Sequence, residues 1–166
     1  MKNNIVLIGM PGCGKSTVGV VLAKSLGYRF LDVDLVIQER ENRLLSEIIE
    51  EEGLEGFLKA EENACLSIEA EKTVIATGGS AVYSEAGMKH LKEIGTVVYI
   101  RLGLEEIEHR LGDLHKRGVA MKAGMTLEEL YNERSPLYEK FADCVCDGED
   151  MLLREIVASI AKLVVI

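Results

Sequence analysis

Proline is scarce in this 166-residue chain, at Pro11 and Pro136 only, and no Ser/Gly-rich or low-complexity tract separates one part from another. Without such a break, and with 48% hydrophobic residues, the length suits one domain over residues 1–166 with a full core. No internal repeat is visible. Long apolar runs are also lacking. None approaches the roughly 18 residues that a membrane-spanning helix needs, so no membrane partner and a cytoplasmic location are expected. Cations are in the minority: 19 Lys and Arg against 28 Asp and Glu leave a formal charge of −9. That surface repels nucleic acid and anionic lipid over most of its area, which argues against either as a partner. Four cysteines, Cys13, Cys65, Cys144 and Cys146, form no C-x-x-C pair. The three histidines, His90, His109 and His115, show neither zinc-ligand spacing nor the pattern of a catalytic dyad.

What is present is sharper. Directly after the apolar run Ile5-Val6-Leu7-Ile8 stands Gly9-Met10-Pro11-Gly12-Cys13-Gly14-Lys15-Ser16, a complete G-x-x-x-x-G-K-S between a strand and the helical run Thr17 to Leu26. Its glycines let successive N–H groups turn inward around a polyphosphate. Lys15 supplies a compact cation for the β- and γ-phosphates, and the Ser16 hydroxyl is a ligand for Mg²⁺. The following helix aims its positive end at the same charge. Nucleotide-dependent phosphoryl transfer is the chemistry expected. Cys13 lies at a helix mouth, where a thiol can become reactive, but a small loop residue is the simpler reading.

Strand-like runs at Asn4–Ile8, Arg29–Leu31, Thr73–Ala76, Thr96–Ile100 and Asp143–Val145 alternate with helical patterns. These patterns fill most of Val33–Glu51 and Leu54–Ala70, then Ser84–Glu93, Leu104–Gly112, Leu127–Lys140 and Met151–Val164. Alternation of this kind calls for an α/β fold with a mainly parallel sheet covered on both faces. Ligands of such sheets lie beyond the carboxyl ends of the strands, so the residues just after each strand matter most. After the second strand come Asp32 and Asp34, one suited to hold Mg²⁺ through water and one to meet an acceptor hydroxyl, though helix capping is open to them as well. After the third come Thr77-Gly78-Gly79-Ser80, where bare backbone lets a ligand approach. Between Gly112 and Gly124 the pattern loses apolar periodicity and turns cationic, as suits a lid over bound nucleotide. His115-Lys116-Arg117 and Lys122, with Lys15, Arg110 and Arg134, could focus positive charge on ATP. Glu50-Glu51-Glu52 and Glu61-Glu62 read as solvated helix faces. Cys144 and Cys146 should share one face of a strand as small buried residues, and Tyr83, Tyr99, Tyr131 and Tyr138 read as packing residues.

Together these residues resemble the shikimate kinases, small P-loop kinases that move the ATP γ-phosphate to a hydroxyl of shikimate. The likeness runs from about Ile5 to Val157. It is carried by the loop with Thr17-Val18-Gly19 and Leu22-Ala23-x-x-Leu26-Gly27, by Phe30-x-Asp32-x-Asp34 and Phe57-x-x-x-Glu61, by Ala76-Thr77-Gly78-Gly79 and Gly95-Thr96-Val97-Val98-Tyr99, and by Glu133-Arg134-x-Pro136-Leu137-Tyr138. The resemblance implies a three-layer α/β/α fold with a five-stranded parallel sheet in the order 2-3-1-4-5, a lid at about 112–124 and an acceptor-binding helical region at about 33–62. It implies ATP and Mg²⁺, a small-molecule acceptor and a monomer. It puts phosphates on Gly12, Cys13, Gly14, Lys15, Ser16 and Thr17, and Mg²⁺ on Ser16 and, indirectly, Asp32. Asp34 becomes the proton acceptor, Arg117 the lid cation on the moving phosphoryl group, and Arg110 the residue over adenine. Gly78, Gly79 and Arg134 meet the acceptor, the last at its carboxylate.

The chain also leaves the family pattern. Where the family has F-R-x-x-E, it reads Phe57-Leu58-Lys59-Ala60-Glu61, so the second arginine of the carboxylate grip is replaced by leucine. Lys59 points about 100° away and does not substitute. The glycine triplet ends in Ser80, and the lid reads Arg117-Gly118-Val119-Ala120 without the family's proline. Losing one partner of a buried charged hydrogen bond costs about 2–5 kcal/mol, so shikimate should bind more weakly. Three readings follow: a kinase of shikimate, a kinase of another small hydroxylated acceptor, or a nucleotide-binding module without catalysis. The set Lys15, Ser16, Asp32, Asp34 and Arg117 argues against the last.

Overall fold

A computed structural model describes residues 2–112 and 119–164. Its strands are β1 (Asn4–Ile8), β2 (Arg29–Asp32), β3 (Thr73–Ala76), β4 (Gly95–Arg101) and β5 (Cys144–Asp147). All pair in parallel, in the order β2-β3-β1-β4-β5. The central strand β1 is buried along its whole length, as is β3. That is why both read as continuous apolar runs rather than alternating ones. Asn4, a buried polar residue in β1, is fully engaged: its amide donates to the Ala70 and Ile94 carbonyls and its oxygen accepts from the Thr73 N–H. It ties three segments together at the amino-terminal edge of the sheet.

Helices α1 (Lys15–Leu26), α2 (Val33–Glu41), α3 (Leu45–Leu66), α4 (Glu85–Ile94), α5 (Leu104–Leu111), α6 (Leu127–Phe141) and α7 (Leu153–Leu163) fill the connections among the described residues. The sheet order, its parallel sense and most element boundaries agree with the sequence within a residue or two; α3 stops at Leu66, four residues short of the expected Ala70, and there are two further exceptions. The helical stretch expected over Val33–Glu51 is broken. Asn42 takes a left-handed conformation (φ 51°) that stops α2, and α3 starts afresh at Leu45. The expected gap before Leu54 falls at Gly53, whose non-helical φ of 71° and ψ of −173° divide α3 into two helical segments, 45–52 and 54–66. The second exception is the cysteine pair of β5: Cys146 is buried, but Cys144 is half-buried, because β5 is the edge strand and its outer end is only partly covered.

Because β1 lies between β3 and β4, the chain crosses from one side of the sheet to the other around it. The crevice that this leaves at the carboxyl end of β1 is where ligands of open parallel sheets sit. The phosphate loop leaves β1 there, and the 77–80 loop leaves β3 beside it. The two are joined directly, since the Thr77 hydroxyl and N–H both donate to the Leu7 carbonyl, at 2.9 and 3.2 Å.

Candidate active site

The phosphate loop has the shape that its glycines allow. Gly12 and Gly14 have φ of 79° and 94°, values that a side chain would strain, and at Gly12 a Cβ would also stand 2.8 Å from Leu111 Cδ2. Gly14 caps α1, so the helix opens with its N–H groups facing the loop. Cys13 is fully buried, as a small loop residue should be. The Lys15 ammonium, also buried, donates to the Gly9 and Met10 carbonyls at 2.7 and 2.8 Å and so stands inside the loop's curve. Ser16 and Thr17 are exposed on the first turn of α1. Arg110 reaches over from α5: its Nη1 would lie 3.7 Å from a Cβ on Gly14, while its Nε pairs with Glu106 at 2.8 Å. Arg117 lies outside the described residues, as do His115 and Lys116.

Asp32 does two things at once. One oxygen accepts the Asp34 N–H at 2.9 Å and caps α2, and the other accepts the Ser16 hydroxyl at 2.9 Å. Ser16 and Asp32 therefore present hard oxygen donors side by side at the mouth of the phosphate loop. Such a pair suits Mg²⁺, which takes one or two protein oxygens and completes its shell with water and phosphate. No cluster of three or more His, Cys, Asp or Glu that could form an all-protein metal cage occurs among the described residues.

Two residues on, Asp34 turns into a separate cavity of about 100 Å³, lined by Pro11, Leu45, Phe57, Glu61, Gly78, Gly79, Ser80, Val119, Ala120 and Arg134. Asp34, Gly78, Gly79 and Arg134, the residues expected to meet an acceptor, are thus brought together from α2, the 77–80 loop and α6. Arg134 is almost wholly buried. Its Nε donates to the Tyr83 hydroxyl at 3.2 Å, its Nη2 donates to the Ala120 carbonyl, and its guanidinium carbon is 5.2 Å from the centre of the Tyr83 ring. Gly79 is bare because the site needs it so: a Cβ there would stand 2.8 Å from Pro11 Cδ and 3.0 Å from Arg134 Nη1. The buried Tyr138 holds the same loop through a 2.6 Å bond from its hydroxyl to the Gly79 carbonyl. Burial, and then the neighbouring Asp32 charge, hold the Asp34 carboxyl above its ordinary range, with Lys15 opposing them. A second cleft of about 750 Å³, lined by Gly27, Arg29, Lys72 and His90 among others, lies at the amino-terminal ends of β2 and β3 and is remote from all of this chemistry.

The shikimate kinase family model matches residues 11–164. The chain belongs to the shikimate kinase family. A shikimate kinase of Clostridium botulinum is 36% identical over 99% of both chains. Among solved structures, the shikimate kinase of Acinetobacter baumannii in complex with shikimate matches at a TM-score of 0.88 and 30% identity, covering 98% of this chain and 92% of that one. The enzyme of Aquifex aeolicus matches at 0.83 and 34% identity, covering 96% and 94%.

In this member of the shikimate kinase family the departures from the motif are grouped in space. Leu58 does not line the acceptor cavity. It lies between two adjoining pockets of about 190 Å³ each, a mostly apolar one with Leu54, Tyr83, Met121, Met125 and Leu130 and a polar one with Glu61, Ser80 and Tyr83. Lys59 is on the surface, paired with Glu62 at 2.9 Å, and leaves the cavity without a second lysine or arginine among the described residues. Lys122 is likewise exposed, 4.0 Å from Glu133. Ser80 is buried and donates to Glu61 Oε1 at 2.6 Å.

Glu61 overturns the solvated-face reading of Glu61-Glu62. It is only 2% exposed, because it shares with Phe57, Ala60 and Ala64 the face of α3 that packs inward. That spacing of three and four residues was visible in the sequence and is the signal that would have found it. Tyr83 and Tyr138, read there as packing residues, prove to hold Arg134 and the glycine loop. No periodicity marks such a role, since their partners are 51 and 59 residues away.

Proposed function

We propose that this protein transfers the γ-phosphoryl group of ATP to a ring hydroxyl of shikimate, giving shikimate 3-phosphate in aromatic amino-acid biosynthesis. The observation that carries this reading is the buried Arg134 guanidinium facing the same small cavity as the Asp34 carboxylate, beside the phosphate loop. A cation for a carboxylate and an acceptor for a hydroxyl proton are what a hydroxy acid needs. The backbone of Gly12, Cys13, Gly14, Lys15, Ser16 and Thr17 would hold the polyphosphate, with the Lys15 ammonium released from the Gly9 and Met10 carbonyls onto it. Ser16 would hold Mg²⁺ directly and Asp32 through water; when bound, the ion neutralises charge on the phosphate oxygens. Arg110 would lie over adenine.

In the transfer the acceptor oxygen forms a bond to the γ-phosphorus as the bond to the β–γ bridging oxygen breaks, and the hydroxyl proton passes to Asp34. The raised affinity of Asp34 for a proton suits that task, although a loose transition state asks little of a base. Arg117 would neutralise the phosphoryl group in flight, which can contribute several powers of ten to rate. No helix among the described residues is long and apolar enough to cross a membrane. A cytoplasmic monomer without nucleic-acid partners is the form in which we expect it to work.

One observation favours a second reading, a small hydroxylated acceptor without a carboxylate: leucine at position 58 leaves Arg134 the one cation among the described residues that line the cavity. The test is ADP release by purified protein with Mg-ATP, shikimate and a panel of polyols and hydroxy acids. Turnover of shikimate with a micromolar to low-millimolar KM supports the proposal. Turnover of another acceptor alone replaces it with the second reading, and nucleotide binding without any turnover refutes both.

A further inference from the structure

Glu61 lines the acceptor cavity, yet the transfer proposed above gives it nothing to do. Its Oε1 takes the Ser80 hydroxyl, while Oε2, equally buried, has no hydrogen-bond partner. The direction of Oε2 is fixed by the bare backbone beside it: a Cβ on Gly78 would stand 2.7 Å from Glu61 Oε2 and 3.2 Å from Asp34 Oδ1. Both oxygens therefore lie against the Gly78 backbone, in the wall of the one cavity that Glu61 and Asp34 line. No lysine or arginine nitrogen among the described residues comes within 4.0 Å of Glu61 to form an ion pair.

A buried carboxyl without a cation prefers its neutral form. Here burial and the charge of Asp34 on α2 push its pKa up to about 7, against the Ser80 hydrogen bond, Arg134 on α6 and Lys15 on α1. Cys65, one turn further along α3, is itself held above its ordinary value and stays neutral. With Ser80 donating to Oε1, the proton of the neutral acid belongs on Oε2, where it becomes an O–H donor without a partner in the cavity wall.

We propose that Glu61 is a specificity-determining residue that binds the acceptor's carboxylate as a neutral acid, its Oε2–H donating to that carboxylate beside Arg134. This inference rests on the reading that the acceptor carries a carboxylate. It gives Leu58 and Ser80 a joint meaning: with no arginine at position 58 to ionise Glu61, the serine orients the acid and leaves its proton available. An ionised Glu61 would instead face the acceptor with a second negative charge, so binding above neutrality must take up a proton.

The test is shikimate binding to the full chain by calorimetry at pH 8 in two buffers of different ionisation enthalpy, together with kcat/KM at saturating Mg-ATP from pH 6 to 8. Uptake of close to one proton at pH 8 is expected, with affinity and kcat/KM falling about tenfold over that range. In Glu61→Gln, whose amide can still accept from Ser80 and offers an N–H where the acid had its O–H, proton uptake should vanish and the pH profile should flatten. Glu61→Leu, which keeps neither, should weaken binding tenfold or more at pH 6 with the urea midpoint confirming a folded protein. Shikimate binding without proton uptake, or the same uptake in Glu61→Gln, overturns this inference alone. Absence of shikimate binding and turnover at every pH overturns it together with the proposed function.

Discussion

Replacing Glu61 by glutamine should make the protein's stability less dependent on pH, in a way that can be worked out beforehand. The group titrates at an ordinary 4.5 when exposed and at about 7 in the folded protein. Below pH 4.5 both states hold the proton and Glu61 contributes no pH dependence. Between the two values the unfolded chain has released its proton while the folded one retains it, so stability falls as pH rises. Above 7 both are ionised and the loss is complete. At 1.36 kcal/mol for each tenfold change in proton affinity, the whole displacement is worth about 3 kcal/mol, most of which falls between pH 5 and pH 8. Glutamine keeps the shape and the Ser80 hydrogen bond but binds no proton. The other titrating groups are common to both proteins and cancel in the comparison. Urea denaturation of wild type and Glu61→Gln at pH 5 and pH 8 should therefore show the variant gaining on wild type by about 2–3 kcal/mol, or more than 1 M in midpoint at a slope of about 2 kcal/mol per M. A stability difference that is the same at both pH values would refute the claim that Glu61 is buried without a cation.

Three further outcomes follow from the geometry. Lys15→Ala removes the cation inside the phosphate loop and Asp34→Asn the hydroxyl-side carboxylate; each should lower kcat for acceptor phosphorylation by about 10²–10⁴-fold, and an active Asp34→Asn enzyme would remove the role given to that group. Leu58→Arg places a guanidinium beside the pocket of about 190 Å³ that Leu58 shares with Glu61, Ser80 and Tyr83. It should ionise Glu61 but replace the lost O–H with a cationic donor to the acceptor's carboxylate, lowering the KM for shikimate about tenfold, equivalent to about 1.4 kcal/mol, and an unchanged KM would show that position 58 does not serve the acceptor. Gly79→Ala drives a methyl group toward Pro11 and Arg134 and should raise the KM for the acceptor tenfold or more while leaving that for ATP within about twofold, which steady-state kinetics with each substrate varied in turn would check.

The donor half of the site was legible because its chemistry is local. Eight consecutive residues build the phosphate loop, and Asp32 and Asp34 follow a strand whose carboxyl end had to face that loop once the sheet was parallel. The same argument found Gly78 and Gly79. The acceptor half is assembled differently. Arg134 is held by Tyr83 and Ala120, Gly79 by Tyr138, and Glu61 by Ser80, each pair separated by between 14 and 59 residues. Glu61 is hidden from the sequence for the same reason: next to Glu62 it looks like half of a charged surface, and only the rotation of α3 against the 77–80 loop puts one of the two inside. The break between α2 and α3 is inconspicuous in the sequence because Asn42, not glycine, supplies the left-handed stop.

By itself, then, the amino-acid sequence determined the parallel α/β architecture, the phosphate loop and the family, since hydrophobic period, glycine placement and motif spacing act over a few residues. Tertiary structure alone decided the electrostatics of the acceptor cavity. Whether a carboxyl is an exposed anion or a buried acid depends on what distant segments pack against it, and at Glu61 the packing of α3 against the 77–80 loop excludes water and leaves one oxygen without a hydrogen-bond partner.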